Sequence, residues 1–272
     1  MKRKLPVALQ LFSLRNECAA DLEGTLREVK SMGYDGVEFA GLYGKSAGEM
    51  KALLGEIGLV PCSAHVSIDE MLADPDGVME CYSDIGCRYI AVPFLAENRR
   101  MGGEDYDATL DALRALSEAA ARHGMKLMYH NHDFEFAKFG GEYALDVLFS
   151  SVPELSVELD CCWAAVGGAD PAEYIAKYAA RSPVIHLKDF ELHGKKPANV
   201  MDIMEKGGDA EDSSGRFGFR PCGQGMLDIM RVLDAAEDSA AEWLVVEQDA
   251  PSPGRSAMEC AAMSCAFLKS VI

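Results

Sequence analysis

The residues best suited to chemistry in this chain are histidines and carboxylates that end short apolar runs. The clearest case is "YHNHDFEF" at 129–136, in which His130 and His132 come directly after such a run. Three later runs end in the same way, with Glu158 and Asp160 in "SVELD", His186 and Lys188 in "VIHLKD", and Glu247 in "LVVEQD". Imidazole and carboxylate groups together suit one divalent ion that takes nitrogen and oxygen ligands, such as Mn²⁺, Co²⁺, Zn²⁺ or Fe²⁺.

The elements that position these residues alternate between helix and strand along the chain. Amphipathic stretches such as "DLEGTLREVKSMG", closed by Gly33, are each followed by a short apolar run. Eight strand segments, from "KLPVALQ" to "EWLVVEQD", fit into the 272 residues. This alternation favours a single (β/α)8 TIM barrel that forms one domain over residues 1–272. A doubly wound open sheet is the alternative, but "LFSLRNE" after the first strand lacks the glycine-rich phosphate turn of that fold.

Two segments carry further expectations. A helical stretch is predicted across residues 67–85. The segment 190–225 is too long for a plain connection and contains Gly207, Gly208, Gly215 and Gly218. We expect it to be a functional loop or lid.

In the predicted barrel, the C-terminal ends of the strands surround one opening. Active sites of such barrels lie at this opening. Side chains alternate between the two faces of a strand, so residues two apart share a face. One metal-binding group from each of strands five to eight can then meet at a single point. Any one of these residues alone is explained by a structural hydrogen bond or a salt bridge, but their recurrence at four successive strand ends favours a site. The predicted metal ligands are His130, Asp160, His186 and Glu247.

Composition narrows the class of partner. The net charge of -18 argues against nucleic acid, which is bound through basic surfaces. The nine cysteines show no CxxC pair and are expected to be reduced and mostly buried, as in a cytoplasmic protein. No apolar stretch is long enough to span a membrane. The basic N-terminus followed by an apolar run is interpreted as a first strand rather than a signal peptide.

Five segments are similar to those of a known family. "YHNHDFEF", "ELDCCWAAVGGADP", "VIHLKD", "GQGMLD" and "VVEQD" resemble the xylose-isomerase-like barrel superfamily, and the resemblance covers nearly the whole chain. This superfamily includes sugar isomerases and epimerases, inosose dehydratase and the DNA-repair endonuclease IV. The resemblance implies a divalent-metal-dependent enzyme that acts on a carbohydrate. It also implies a homo-oligomer, since relatives often form dimers or tetramers.

The family's site residues can be carried over one at a time. Asp160, His186 and Glu247 match its ligands from strands six, seven and eight, and the strand-eight Glu also acts as a base. Strand five of the family usually supplies a Glu, where this chain has His130, and Glu135 is the reserve ligand. The predicted catalytic residues are Glu247, with Lys188 and His132 to stabilise or protonate oxygen. The predicted substrate-binding residues are His65, Glu38, Trp163, Phe12, Glu135 and Arg220.

The expected chemistry is proton abstraction next to the carbonyl of a keto- or aldo-sugar, or of an inositol-like polyol, assisted by one divalent ion (Mn, Co, Zn, Fe or Mg). A ligating His130 disfavours an epimerase that uses two carboxylates, with Glu38 and Glu158 as the remaining second bases. Isomerisation or β-elimination by one base stays open. The alternatives from other classes are a dehydratase-like lyase, a non-catalytic sugar-binding barrel and a DNA-repair endonuclease.

Overall fold

Eight parallel strands form a barrel, in a computed structural model that describes residues 4–198 and 207–272. We label them β1 to β8 in chain order: Val7–Gln10, Gly36–Phe39, Val60–Ala64, Tyr89–Val92, Lys126–His130, Ser156–Asp160, Val184–Leu187 and Trp243–Val246. Neighbours pair in the order β3-β2-β1-β8-β7-β6-β5-β4, and a parallel bridge between His65 and Ala91 joins β3 to β4. The predicted (β/α)8 TIM barrel is therefore confirmed.

Helices follow the strands and surround the barrel. Their bounds are Arg15–Ala20, Leu22–Met32, Ala47–Ile57, Ile68–Ala73, Pro75–Ile85, Tyr106–Arg122, Ala144–Ser151, Cys161–Val166, Pro171–Lys177, Ile229–Glu237 and Ala257–Val271. Short 3-10 turns lie at Leu11–Leu14, Glu97–Arg99 and Phe134–Phe136. Gly33 ends one helix in the left-handed conformation, as its position after "REVKSM" predicts. Among the described residues, no helix is both long and apolar enough to cross a membrane.

The single helical stretch predicted over 67–85 is two helices. The first ends at Ala73, and Asp74 then caps the second by accepting a hydrogen bond from Gly77 N. Pro75 occupies the first helical position, where its missing N–H costs no hydrogen bond. The break is thus a consequence of the Asp-Pro pair.

Side-chain alternation along the strands separates two apolar layers from the polar strand ends. Outward residues such as Leu9, Val157 and Leu187 pack beneath the helices in the main core. A smaller layer that contains Ala8 and Met128 fills the barrel interior. Along β1, β5, β7 and β8 the next inward residue is polar, and these residues, Gln10, His130, His186 and Glu247, form a buried polar layer on an apolar floor.

The described part of segment 190–225 is a folded sheet rather than a plain loop. Three antiparallel strands, Asp189–Gly194, Asp209–Asp212 and Gly215–Arg220, lie beyond β7, while 199–206 fall outside the described residues. Phe190, Phe217 and Phe219 form an apolar cluster with Trp163. Asp189 anchors the return to the barrel by accepting backbone hydrogen bonds from Gly223, Gly225 and Leu227. Whether this sheet serves as a lid stays a prediction.

Candidate metal centre and active site

Four side chains from successive strand ends meet at the C-terminal mouth of the barrel. They are His130 at the end of β5, Asp160 at the end of β6, His186 in β7 and Glu247 just after β8. Each offers one ligand atom, and the four atoms all lie within 4.8 Å of one another. We call this set the outer cluster. It is the set that the sequence predicts as metal ligands.

The distances within the outer cluster leave room at its centre. His130 Nε2 lies 3.4 Å from Asp160 Oδ2 and 3.7 Å from Glu247 Oε2, and His186 Nδ1 lies 3.2 Å from Glu247 Oε2. These separations are close to those between ligand atoms that share one ion at about 2.0–2.2 Å.

Hydrogen bonding tests whether these residues fit a metal ion. Both ring nitrogens of His130 and the Oδ2 atom of Asp160 are buried and have no hydrogen-bond partner among the described residues. Leaving a buried polar atom unpaired costs about 1–3 kcal/mol, so native proteins rarely keep several together without a ligand. The other oxygen, Asp160 Oδ1, accepts from Trp163 N at 2.8 Å, which fixes the carboxylate. The free atoms of His130 and Asp160 lie beside His186 and Glu247, and this set of two imidazoles and two carboxylates fits a divalent ion.

Asn131 holds the strands on either side of this cluster in register. Its side-chain oxygen accepts from Asp160 N at 2.9 Å, and its side-chain nitrogen donates to Asp160 O at 3.2 Å. The two bonds join the end of β5 to the end of β6, so His130 and Asp160 keep a fixed separation.

A buried ammonium borders the outer cluster. Lys188 is 2% exposed, and its Nζ lies 2.7 Å from Glu247 Oε2, 3.0 Å from Asp249 Oδ1 and 3.5 Å from Asp160 Oδ2. Burial opposes its charge, but Asp249, Glu247 and Asp160 outweigh burial and hold the pKa of Lys188 well above its usual value. Lys188 is thus a fixed cation and not a proton acceptor at neutral pH.

The same contacts keep Glu247 ionised. Burial would raise the pKa of its carboxyl, but the charges of Lys188 and His186 and a hydrogen bond from His186 lower that pKa well below the usual value. An ionised carboxylate at this position can serve both as a ligand and as a proton acceptor.

A second group of polar side chains lies beneath the outer cluster. Glu38, His65 and Glu158 surround the other ring nitrogen of His186, and we call these three residues with His186 the inner cluster. His186 Nε2 lies 2.7 Å from Glu38 Oε2, and His65 Nε2 lies 2.6 Å from Glu158 Oε2. Glu38 also accepts from Gln10 Nε2 at 2.7 Å and from the hydroxyl of Ser63. Hydrogen bonds link the pairs Glu38–His186 and His65–Glu158 of the inner cluster, whereas in the outer cluster His186 bonds to Glu247 and His130 has no hydrogen-bond partner among the described residues.

A cavity of about 540 Å³ opens above the outer cluster. Its floor is formed by the polar residues His65, His130, His132, Lys188, Glu247 and Asp249. Its walls include Phe12, Val66, Tyr82 and Phe94, of which Phe94 is 42% exposed. A polar floor under aromatic walls suits a small polyhydroxy ligand, whose ring faces pack on aromatic side chains.

His132 and Trp163 lie side by side at the edge of this cavity. The His132 ring is 5.6 Å from that of Trp163, and its Nδ1 has no partner among the described residues. Burial, followed by the charges of His130 and Lys188, lowers the pKa of His132 well below its usual value. Trp163 is behind His132, 2% exposed and stacked on Phe217, and does not line the cavity.

Like Trp163, the predicted site residues Glu135 and Arg220 do not line this cavity. Glu135 accepts from the hydroxyl of Tyr129 and from His132 N, because the 3-10 turn at Phe134–Phe136 directs it away from the barrel axis. Burial raises its pKa to about 7. Arg220 forms salt bridges with Asp209 and Glu191, so its charge is paired within the antiparallel sheet and does not face the cavity.

Sequence reasoning gave no role to three residues that organise the site. Gln10 and Asn131 were visible as polar residues at strand ends, but their partners were not. Ser63 reaches Glu38 because the register of β2 with β3 shifts between Val37 and Glu38, so that Ser63 pairs with Glu38. A bulge of this kind leaves no clear pattern in the sequence.

Comparison with known proteins places the chain among barrels of one family. The profile of the family described as "Xylose isomerase-like TIM barrel" matches residues 26–271. Inosose dehydratase of Geobacillus kaustophilus (strain HTA426) is 24% identical over 250 residues, which cover 82% of this chain and 79% of that protein.

Two solved structures show the same fold. A sugar phosphate isomerase/epimerase from Parabacteroides distasonis ATCC 8503 superposes with a TM-score of 0.76 at 20% identity, over 98% of this chain and 94% of the other. The IolI protein, solved with a zinc atom, superposes with a TM-score of 0.70 at 17% identity, over 100% of this chain and 98% of the other.

Proposed function

The chain belongs to the xylose isomerase-like TIM barrel family, and on that premise we propose that it is a divalent-metal-dependent enzyme acting on a keto- or aldo-sugar or an inositol-like polyol. The proposed chemistry is removal of the proton next to a carbonyl. The observation that carries it is the outer cluster, in which buried atoms of His130 and Asp160 have no hydrogen-bond partner within residues 4–198 and 207–272 and lie beside an ionised Glu247. A bound divalent ion would act there as a Lewis acid toward the carbonyl.

Glu247 is the proposed base. It lines the cavity, and its carboxylate is held in place by Lys188 Nζ at 2.7 Å and His186 Nδ1 at 3.2 Å. Lys188 places a fixed positive charge 2.7 Å from that carboxylate, where it can also stabilise negative charge that develops on substrate oxygen. His132 lines the same cavity, and its neutral imidazole can donate a hydrogen bond to a substrate hydroxyl.

A single base favours some outcomes of this proton removal over others. An epimerase of the two-carboxylate kind needs a second base on the opposite face of the substrate, and position 130 supplies an imidazole instead. The other candidates, Glu38 and Glu158, are 0% exposed, bond to His186 and His65, and do not line the cavity. We therefore place β-elimination first: Glu247 takes the proton beside the carbonyl, the C–O bond on the next carbon breaks as a C=C bond forms, and the departing hydroxyl takes up the proton held by Glu247 and leaves as water. The inosose dehydratase name of a relative supports this order.

Isomerisation between aldose and ketose is the second candidate, since one base can also move a proton between adjacent carbons. The structural similarity to the Parabacteroides sugar phosphate isomerase/epimerase is a likeness of fold and does not rank the two reactions. Both candidates begin with the same proton removal by Glu247.

The charges around the cavity favour an uncharged substrate. Among the described residues that line it, Lys188 is the one Lys or Arg, and three carboxylates already surround its ammonium. A phosphorylated sugar would need additional cations or free backbone N–H groups. Together with the net charge of -18, this arrangement also disfavours the endonuclease alternative. The cytoplasmic location and the homo-oligomer stay predictions from the sequence.

The test is a panel of neutral keto-sugars and keto-inositols incubated with protein in deuterated water and followed by NMR. We expect deuterium uptake next to the carbonyl and loss of water with Mn²⁺-, Co²⁺- or Zn²⁺-loaded protein, and neither reaction after chelation. Glu247→Gln should abolish both reactions. Glu135→Gln, an equally buried carboxylate outside the cavity, is the matched control and should keep both. Tight sugar binding without deuterium uptake would instead identify a non-catalytic binding barrel.

A further inference from the structure

The two ring nitrogens of His186 face different clusters. Nδ1 lies 3.2 Å from Glu247 Oε2 in the outer cluster, and Nε2 lies 2.7 Å from Glu38 Oε2 in the inner cluster. A histidine that binds a metal ion through one nitrogen keeps its proton on the other, and that N–H needs an acceptor. The acceptor decides which nitrogen is free for the metal.

Glu38 is held in place to be that acceptor. It is 0% exposed at the end of β2, with Gln10 Nε2 donating to its Oε2 at 2.7 Å and the Ser63 hydroxyl donating to its Oε1. The register shift between β2 and β3 brings Ser63 opposite Glu38, so the contact between them depends on an irregularity of the barrel backbone. The carboxylate is therefore positioned by the protein itself, independently of any ligand in the cavity.

The geometry points to Glu38 as the positioning residue for His186. By accepting the Nε2 proton it makes Nδ1 the nitrogen that faces Glu247 in the outer cluster, where a metal ion would take the place of the proton that Nδ1 shares with Glu247. Its negative charge also makes the imidazole a better donor to a cation. This inference rests on the proposed metal site of the outer cluster and adds a residue that the cavity lining does not reveal.

The competing interpretation makes the inner cluster a second metal site. Its four ligand atoms also lie within 4.8 Å of one another. However, a neutral imidazole offers one lone pair, so His186 can bind ions in both clusters only after losing its remaining ring proton. In addition, Glu38 Oε2 already accepts from both Gln10 and His186. A single ion in the outer cluster keeps the hydrogen bonds that Glu38 accepts from Gln10 and His186, whereas an ion in the inner cluster would compete with them.

The experiment is a Zn²⁺ titration of metal-free protein against a chromophoric chelator, which gives affinity and stoichiometry without any substrate. For the natural chain we expect one tight equivalent. In Glu38→Gln the amide can turn its NH₂ toward Ser63 and keep its oxygen toward His186, so the charge is lost and the acceptor remains. We expect Zn²⁺ to bind about 10-fold more weakly to it, and about 100-fold more weakly to Glu38→Leu, which lacks both.

The control is Glu135→Gln, which removes a buried carboxylate outside both clusters and should change the Zn²⁺ affinity less than about 2-fold. Circular dichroism of the metal-free proteins must show the native fold, and Glu38→Gln alone decides the matter if Glu38→Leu does not fold. Unchanged Zn²⁺ affinity in folded Glu38→Gln overturns the inference and leaves the proposed function intact. Two equivalents in the natural chain, one of them lost in Glu38→Gln, overturn it in favour of a second site. No Zn²⁺ binding to the natural chain overturns both proposals.

Discussion

The outer and inner clusters contain the same kinds of side chain but differ in how their polar atoms are satisfied. In the outer cluster, His130 and Asp160 leave three buried atoms without a hydrogen-bond partner among the described residues. In the inner cluster, Glu38 accepts from Gln10, Ser63 and His186, and His65 bonds to Glu158. Within the described residues the inner cluster leaves one such atom, Glu158 Oε1, so it is more nearly complete than the outer cluster, which needs a ligand. Residue type alone does not distinguish a binding site from a structural network.

The largest expected effect compares one carboxylate from each cluster in the reaction of the proposed enzyme. Glu247→Gln should reduce the rate of deuterium uptake by at least about 10³-fold, because it removes the base and a metal ligand together. Glu158→Gln should reduce that rate much less, since Glu158 does not line the cavity. Equal loss in both variants, with both folded, would erase the functional difference between the clusters.

The next effect concerns pH and a carboxylate that belongs to neither cluster. Burial raises the pKa of Glu135 from 4.5 to about 7, so between these values the native protein binds more protons there than the unfolded chain does. The free energy of unfolding should therefore fall by about 3 kcal/mol as pH rises through this window. Urea unfolding at pH 5 and pH 8 measures the difference, which Glu135→Gln should largely remove. A slope that persists in the variant would assign the pH dependence to the clusters.

Metal binding at the outer cluster should raise the free energy of unfolding. Saturation at about 100 times Kd should raise the free energy of unfolding of the natural chain by about 2.7 kcal/mol. His130→Ala should lose this gain, yet its metal-free form should lose little beyond packing, because neither ring nitrogen of His130 has a hydrogen-bond partner in the part of the chain that the structure describes. Thermal unfolding with and without Zn²⁺ measures both. Metal stabilisation of His130→Ala equal to that of the natural chain would place the ion elsewhere.

The smallest effect tests the support of the inner cluster. Ser63→Ala removes the hydroxyl that donates to Glu38 Oε1, and it should lower the free energy of unfolding by about 1 kcal/mol, with and without metal. Chemical denaturation of both forms provides the values. A loss confined to the metal-loaded form would show that Ser63 serves metal binding rather than the resting network.

The sequence predicts the strand-end residues well where the period of two is regular. Asp160, His186 and Glu247 end apolar runs whose alternation turns them inward, and the structure brings them together with His130. Glu135 lies outside the cavity lining, because a 3-10 turn interrupts that alternation directly after β5. In the same way, the residues 67–85 divide at Asp74 and Pro75, where capping overrides the helical period.

Contacts between distant parts of the chain could not be predicted. Taken alone, Arg220 is a plausible contact for an anion. Its partner Asp209 lies in a strand, but the glycine-rich composition of 190–225 predicts a loop there. The Ser63 contact depends on a bulge, and the division of His186 between two clusters depends on the relative position of β2, β7 and β8. These features follow from tertiary packing, which a single sequence does not encode in a local pattern.

The most direct test of the contrast between the clusters is a crystal structure of the protein soaked with Zn²⁺, with anomalous data collected at the zinc edge. We predict one strong anomalous peak per chain, about 2.0–2.2 Å from ligand atoms of His130, Asp160, His186 and Glu247. A peak bound by Glu38, His65 and Glu158, or no peak at the barrel mouth, would contradict the account.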